Sequence, residues 1–265
     1  MNIKEYVQTQ KSLMHDEVSQ LKIKPVLVII QINEDEASNA YVKGKINDAT
    51  NIGIIAKLIK LPLNTTEDEL LKIIEKINND DTVHGLIVQM PLPRQINEEK
   101  VKLAVAPKKD VDGFHPLSKL NPCTPKGIVD YLKYEKINFD NLNAVVIGRS
   151  NIVGKPMAKM LTDLNCNTVI LHSKTSKENM DMYLKNADLI VIAIGKKWFI
   201  NEQKLKNTAI LIDVGINRID GKLYGDAKND LKVKLQTPVP GGVGLLTRIT
   251  LMRNLLDAYY AQIKC

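Results

Sequence analysis

Apolar positions along this chain fall into two alternating patterns. Some stretches repeat every three or four residues, as one face of a helix does. Others are short unbroken runs, as in a strand buried on both sides. Residues 3–21 have the helical spacing, and Pro25 then opens an apolar run at 26–32 that predicts a strand. A helix is expected from about residue 38 to 52, ended by Gly53, and a strand near 54–61. Thr66 is placed to cap the next helix, with Glu67, Asp68 and Glu69 in a first turn whose dipole favours negative charge. Residues 85–89 read as a third strand. Residues 110–124 hold two prolines and little periodicity, so they read as a connector, and Thr124-Pro125-Lys126 opens another helix.

The second half repeats the alternation. Strands are predicted at 144–147, 168–171, 189–194 and 209–214, the last two ended by Gly195 and Gly215. Helices are predicted at 156–164, with Pro156 in its first turn, and at about 246–263. Helix and strand in alternation argue for parallel sheets and an α/β fold. At 265 residues the chain is long enough for two modest α/β domains with a cleft between them. The pattern leaves open which of them owns the final helix.

Composition narrows the class. Hydrophobic residues make up 44% and charged residues 25%, as in ordinary globular proteins. The net charge of +7 invites a nucleic-acid reading, but only five of the 37 basic residues are arginine, and lysines interleave with acids along the whole chain. With three Phe and one Trp, aromatic platforms for bases are scarce, so no nucleic-acid partner is expected. Cys123, Cys166 and Cys265 form no C-x-x-C pair, which suits a reducing cytosol. His15, His84, His115 and His172 lack metal-binding spacing, so no metal site is expected. The N-terminus lacks the apolar segment of a secretory leader, and no apolar run approaches the ~20 residues that span a bilayer. A cytoplasmic protein without a membrane partner is therefore expected.

The chemistry is concentrated in a few places. Gly148-Arg149-Ser150-Asn151-Ile152-Val153-Gly154-Lys155-Pro156 joins a predicted strand to a predicted helix. Glycines let the backbone approach a pyrophosphate, and helix N-terminal amides face an anion. The spacing departs from G-x-G-x-x-G, with Ser150 in place of the second Gly, so by itself it fits an ordinary βα turn as well. About twenty residues on, where an NAD site places a carboxylate for the ribose 2′-OH, stand His172-Ser173-Lys174-Thr175. A hydroxyl here, with Arg149 in the phosphate turn, suits a 2′-phosphate and points to NADP; a solvated strand end is the alternative. Elsewhere, Tyr41 and Lys45 share a helix face four residues apart. Gln89 ends an apolar strand, where ligands of open α/β sheets gather. Asp110-Val111-Asp112-Gly113 offers two carboxylates before a glycine, and Pro238-Val239-Pro240-Gly241-Gly242-Val243-Gly244 is a rigid-then-flexible loop.

Taken in order, these motifs resemble the methylenetetrahydrofolate dehydrogenase/cyclohydrolase family over nearly the full length. The carrying residues are Ala37-Ser38 with Tyr41-x₃-Lys45, Val83-His84-Gly85-x-x-Val88-Gln89-x-Pro91-Leu92, and Pro107-x-Lys109-Asp110-Val111-Asp112-Gly113. They continue through Pro122-Cys123-Thr124-Pro125-Lys126-Gly127, Val146-x-Gly148-Arg149-Ser150-x-x-Val153-Gly154-x-Pro156, His172-Ser173-Lys174-Thr175, Asp213-Val214-Gly215-Ile216-Asn217 and the loop from Pro238 to Gly244. Two departures stand out: Ile32-Asn33 where the family usually has Val-Gly, and Leu245-Leu246-Thr247 where it has Pro-Met-Thr.

The resemblance implies an α/β folate domain, 1–118 completed by the C-terminal helix 246–265, and a Rossmann-like NADP domain, 119–245. It implies oxidation of 5,10-methylenetetrahydrofolate with NADP and hydrolysis of the methenyl product to 10-formyltetrahydrofolate, by a homodimer. Lys45 takes the part of the catalytic lysine, Tyr41 its partner over the pterin, Gln89 the group that tunes it, and Asp112 the pterin's hydrogen-bond acceptor. Gly148, Arg149, Ser150, Ser173 and Ile216 take the cofactor, and Pro240, Gly241, Gly242 and Val243 line the folate. A lysine in a desolvated cleft is suited to proton transfer. Two rival readings are a monofunctional dehydrogenase of the same fold and a shikimate-type NADP oxidoreductase.

Overall fold

A computed structural model describes residues 2–33, 35–201 and 204–263. Cys265, named above with the other two cysteines, lies outside them. The chain forms two compact units, one of residues 8–123 and 248–265, the other of residues 1–7 and 124–247.

The first unit is built on α1 (Ile3–Ser19) from Gln8 onward, β1 (Val26–Gln31), α2 (Glu36–Ile52), β2 (Ile55–Lys60), α3 (Glu67–Asn78), β3 (Gly85–Val88) and α4 (Glu98–Ala104). Its three strands are all parallel, in the order β2-β1-β3. The central β1 is buried at all six positions, which is why it reads as an unbroken apolar run. Helix ends follow local chemistry. Asp35 caps α2 by accepting from the Ser38 amide, and Gly53 closes it in the left-handed region at φ 88°. Thr66 and Glu69 form a reciprocal capping box on α3, so the cap read from sequence is present. α2 begins two residues before the predicted start, directly after its cap Asp35. The seven-residue α4 was not foreseen; Asn97 caps it through the amides of Glu99 and Lys100.

The second unit carries α5 (Cys123–Tyr134), β4 (Asn143–Ile147), α6 (Gly154–Asp163), β5 (Asn167–Leu171), α7 (Lys177–Asn186), β6 (Leu189–Ile192), β7 (Ile210–Asp213), β8 (Asn217–Ile219), β9 (Lys222–Tyr224) and β10 (Leu235–Gln236). α8 (Val243–Ile263) starts here and passes into the first unit at Arg248. The five-stranded parallel sheet runs β10-β7-β6-β4-β5. Its strands alternate between two cores. Ala144, Val146, Leu189, Val191, Ile210 and Ile212 face one, with Met157 and Leu161 of α6. Val145, Ile147, Ile190, Ile192 and Leu211 face the other, with Leu184 of α7. Two buried faces explain the continuous apolar runs of the sequence. β8 and β9 form an antiparallel hairpin whose turn, Asp220-Gly221, has φ 50° and 73°. That Asp-Gly pair was a readable hairpin signal that the sequence reading passed over.

Candidate active site

In the first unit the order β2-β1-β3 reverses the direction of winding at β1, so the carboxyl ends of β1 and β3 flank a topological switch point. Gln89 directly follows β3. Its amide donates to the Ile30 carbonyl at 2.8 Å, which continues the ladder and fixes the backbone. Its side chain is fixed as well: Nε2 donates to the Met90 carbonyl at 2.8 Å, which leaves Oε1 to accept from Lys45 Nζ at 3.1 Å. Lys45 is 5% exposed, and its Nζ lies 5.1 Å from the centre of the Tyr41 ring. The helical i, i+4 relation read from sequence thus becomes an ammonium held between an amide oxygen and an aromatic face.

The turn of α2 that carries Lys45 is anchored by a device the sequence did not reveal. Asp48, 3% exposed, lies between Lys11 at 2.5 Å and Arg248 at 2.8 Å. A side chain on Gly44 would overlap the Arg248 guanidinium, so Gly44 is what admits this cation against the helix. The partners lie 37 and 200 residues from Asp48 in the chain, beyond the reach of local pattern.

The two carboxylates of the 110–113 loop have different jobs. Asp110 accepts from the Gly113 amide at 3.1 Å and the His115 amide at 2.8 Å, so it builds the loop. Burial pushes its carboxyl up to about 6, against these two amides. Gly113 turns at φ 75° with no room for a Cβ against the Asn121 backbone. Asn254 of α8 ties the Val111 and Asn121 carbonyls together at 3.0 and 3.1 Å. Asp112 is thereby presented near Lys45: desolvation raises its pKa and the positive charge of Lys45 opposes that rise. Two more polar groups join the neighbourhood of these strand ends. Buried Gln31 donates to Asn33 and Asn39, while its Oε1 and the buried Ser38 hydroxyl have no partner among the described residues.

The second unit holds a separate constellation. Its order reverses at β4, whose carboxyl end leads into the glycine turn. Gly148 sits at φ 119°, and a Cβ there would overlap the Ala193 carbonyl oxygen. A Cβ on Gly154 would overlap the Gly148 carbonyl, so the turn and the start of α6 touch through backbone alone. The Ser150 hydroxyl accepts from the Val153 and Gly154 amides at 3.2 and 3.3 Å and so caps α6 from within the turn. Registration of Ile147 with Leu171 puts Arg149 and Ser173 two residues beyond adjacent strand ends, both exposed. A short hydrogen-bonded turn, Thr175 N to His172 O at 2.8 Å, holds Ser173 there. Ile216, 59% exposed, follows Gly215 after β7. In the glycine-rich loop the 239–240 peptide is cis, Gly241 has φ 92°, and a Cβ on Gly242 would overlap the Pro238 carbonyl. Val243 is buried in the core beside α5 and α6.

Among the described residues no group of three or more His, Cys, Asp or Glu is placed to hold a metal ion, and no helix is long and apolar enough to cross a membrane. Cys123 and Cys166 are buried.

Two family models match the chain, one over each part of it. The catalytic domain of tetrahydrofolate dehydrogenase/cyclohydrolase matches residues 1–112, and its NAD(P)-binding domain matches residues 122–263. The bifunctional protein FolD of Ligilactobacillus salivarius is 46% identical over 258 residues, covering 91% of this chain and 90% of that protein. The bifunctional FolD methylenetetrahydrofolate dehydrogenase/cyclohydrolase of Campylobacter jejuni superposes with a TM-score of 0.94 at 35% identity, covering 98% of each chain. A Trypanosoma brucei dehydrogenase-cyclohydrolase complexed with NADP and an inhibitor gives 0.94 at 25% identity, over 98% of this chain and 97% of that one. This chain belongs to the tetrahydrofolate dehydrogenase/cyclohydrolase family.

Proposed function

We infer that the protein is a bifunctional enzyme that oxidises 5,10-methylenetetrahydrofolate with NADP and hydrolyses the resulting 5,10-methenyltetrahydrofolate to the 10-formyl compound. The observation that carries this reading is the buried Lys45 ammonium, hydrogen-bonded to Gln89 and set against the Tyr41 ring. A pure hydride-transfer site needs alignment more than a proton carrier. The second step does need one. Water adds to the cationic methenyl carbon and gives up both its protons as the formyl C=O forms: one goes to the ring nitrogen as its bond to that carbon breaks, and the other to solvent. Lys45 Nζ moves those protons, Gln89 aims it, and Tyr41 covers the pterin face. Asp112 accepts from the pterin's amino-pyrimidine edge, and the unpartnered Gln31 and Ser38 oxygens suit the same polar ligand.

The nucleotide falls to the second unit. The residues present fit NADP: a backbone cradle at Gly148 that any side chain would fill, and an arginine and a serine at neighbouring strand ends. When bound, NADP supplies the hydride acceptor. Gly148 and Ser150 hold its pyrophosphate, Arg149 and Ser173 its 2′-phosphate, and Ile216 the nicotinamide end. Pro240, Gly241, Gly242 and the backbone of Val243 line the folate. The same reading makes the protein a cytosolic homodimer, which sedimentation at twice the chain mass would check.

One assay tests the whole reading. Purified protein is given methylenetetrahydrofolate with NADP or NAD, and NADPH and the methenyl chromophore are followed together. NADP-preferring reduction with transient methenyl compound is expected. Absence of reduction with either nucleotide overturns the dehydrogenase, and a methenyl compound that never decays faster than in buffer overturns the cyclohydrolase.

A further inference from the structure

Two buried carboxylates of the nucleotide unit are used by nothing described so far. Asp213 ends β7 and is 2% exposed; Asp226 follows β9 and is fully buried. Among the described residues neither pairs with a lysine or arginine, which for a buried carboxylate requires compensation by other donors. The compensation is backbone. Asp226 Oδ2 accepts from the Ile194 amide at 2.7 Å and the Gly195 amide at 3.0 Å. Its Oδ1 accepts from the Lys196 amide at 2.7 Å and from Asn217 Nδ2 at 2.9 Å. Asp213 Oδ1 accepts from the Gly215 amide at 2.9 Å and the Asp226 amide at 3.0 Å, and its Oδ2 from the Ala227 amide at 2.8 Å.

The pair is reciprocal. A Cβ on Gly215 would overlap the Asp226 carboxylate, and a Cβ on Gly225 would overlap that of Asp213. Each carboxylate therefore packs against the glycine of the other's segment. Between them they grip the residues that follow β6, 194–196, and both flanks of Ile216, through Gly215 N and Asn217 Nδ2. Ile216 itself is 59% exposed, so its own packing does little to place it.

We propose that Asp213 and Asp226 are positioning residues for the nucleotide: a carboxylate cradle that sets the loops after β6 and β7, and so the exposed Ile216, in the conformation that receives NADP. This rests on the reading of the second unit as the NADP site. It differs from a general stabilising role because every acceptor contact of Asp226 lands on the two segments beyond these strand ends. A charged acceptor facing several amides of one turn fixes that turn more tightly than neutral contacts do.

The chain carries its own reporter. Trp198, the single tryptophan, lies two residues past Lys196 with φ 53°, and its amide donates to Gly225 O at 3.1 Å. Its ring meets Tyr224 edge-on at 5.5 Å. Its emission should therefore respond when Asp226 loses its grip.

The test is Asp226→Asn in the full-length enzyme. It keeps the shape but sets an NH₂ against amides that need an acceptor. Expected are at least a tenfold rise in the KM for NADP at saturating folate, a red shift of tryptophan emission, and nucleotide-free hydrolysis of methenyltetrahydrofolate within twofold of wild type. An NADP KM within twofold of wild type overturns the proposal. If Asp226→Asn loses both activities with its melting transition, Asn217→Ala decides instead. It removes one contact to Asp226, and about a threefold rise in the NADP KM is expected; an unchanged KM overturns the cradle. Failure of the functional reading looks different, because the wild-type protein itself would then not reduce NADP.

Discussion

The Lys45 site and the Gly148 turn belong to one proposed enzyme, yet they are built in opposite ways. At the first, the working atoms are on buried side chains, each fixed by another: Lys45 by Gln89, Gln89 by Met90 O, and the helix beneath by Asp48. At the second, Arg149, Ser150, Ser173 and Ile216 are exposed, and precision comes from backbone, with Gly148 and Gly154 leaving no room for a Cβ. The contrast follows from the tasks. Moving a proton needs a desolvated group in one place, where removing its partner leaves an unsatisfied charge. Holding a dinucleotide needs close backbone approach and a few charged tips.

The contrast predicts unequal responses to substitution. The largest is expected from Lys45→Met, which keeps length and apolar packing but removes the amine. Cyclohydrolase activity should fall by about 10²–10⁴, the worth of a general acid–base group. Dehydrogenase activity should fall less, and methenyltetrahydrofolate should accumulate during turnover. Hydrolysis of the methenyl compound at the wild-type rate would remove Lys45 from the chemistry.

Arg149→Ala probes the exposed site. Losing one charged hydrogen bond costs about 1.5–3 kcal/mol, so NADP affinity should drop roughly 10- to 150-fold. NAD affinity should stay put. Equal losses in the two titrations would take the 2′-phosphate away from Arg149.

Asp112→Ala is expected to be milder, roughly a tenfold increase in folate KM from one lost hydrogen bond to a charged group. Both activities fall at subsaturating folate while NADP binding is preserved. Normal folate kinetics would reduce the Asp112 carboxylate to a loop element like Asp110.

The smallest effect is one the two units share. Burial raises Asp110 and Asp213 to about 6 from 3.8. Between those values the folded protein holds protons that the unfolded chain has released. Their contribution to stability is therefore full below about pH 4 and lost as pH rises to about 6, the reverse of a salt-bridged carboxylate. His84, lowered by its own burial, acts in the opposite sense, so the check is residue-specific. Carboxyl-carbon resonances of both aspartates should titrate near 6; midpoints near 4 would show that the amides around them outweigh burial.

The same two sites show what local pattern conveys. Tyr41 and Lys45 share a helix face because helical spacing requires it, and Thr66 with Glu69 announces a cap three residues apart. Four strands of the nucleotide sheet were legible as apolar runs, whereas the two-residue β10 is too short to carry one. α7 was missed because its lysines, asparagines and acids leave only Leu184 fully buried. The β8–β9 hairpin was missed despite its Asp-Gly turn, because three-residue strands carry no periodicity.

What the sequence determined by itself is most of the longer elements, the parallel α/β class and, through the order of its motifs, the family. Each depends on contacts a few residues apart or on words that survive in one dimension. Only the tertiary structure decided which polar groups meet: Lys45 with Gln89 across 44 residues, Asp48 with Lys11 and Arg248, Asp226 with Ile194 across 32. It also separated Asp110 from Asp112, alike in sequence, into the residue that builds the loop and the one presented toward Lys45. A carboxylate's role is set by where its donors come from, and those donors are brought by the fold.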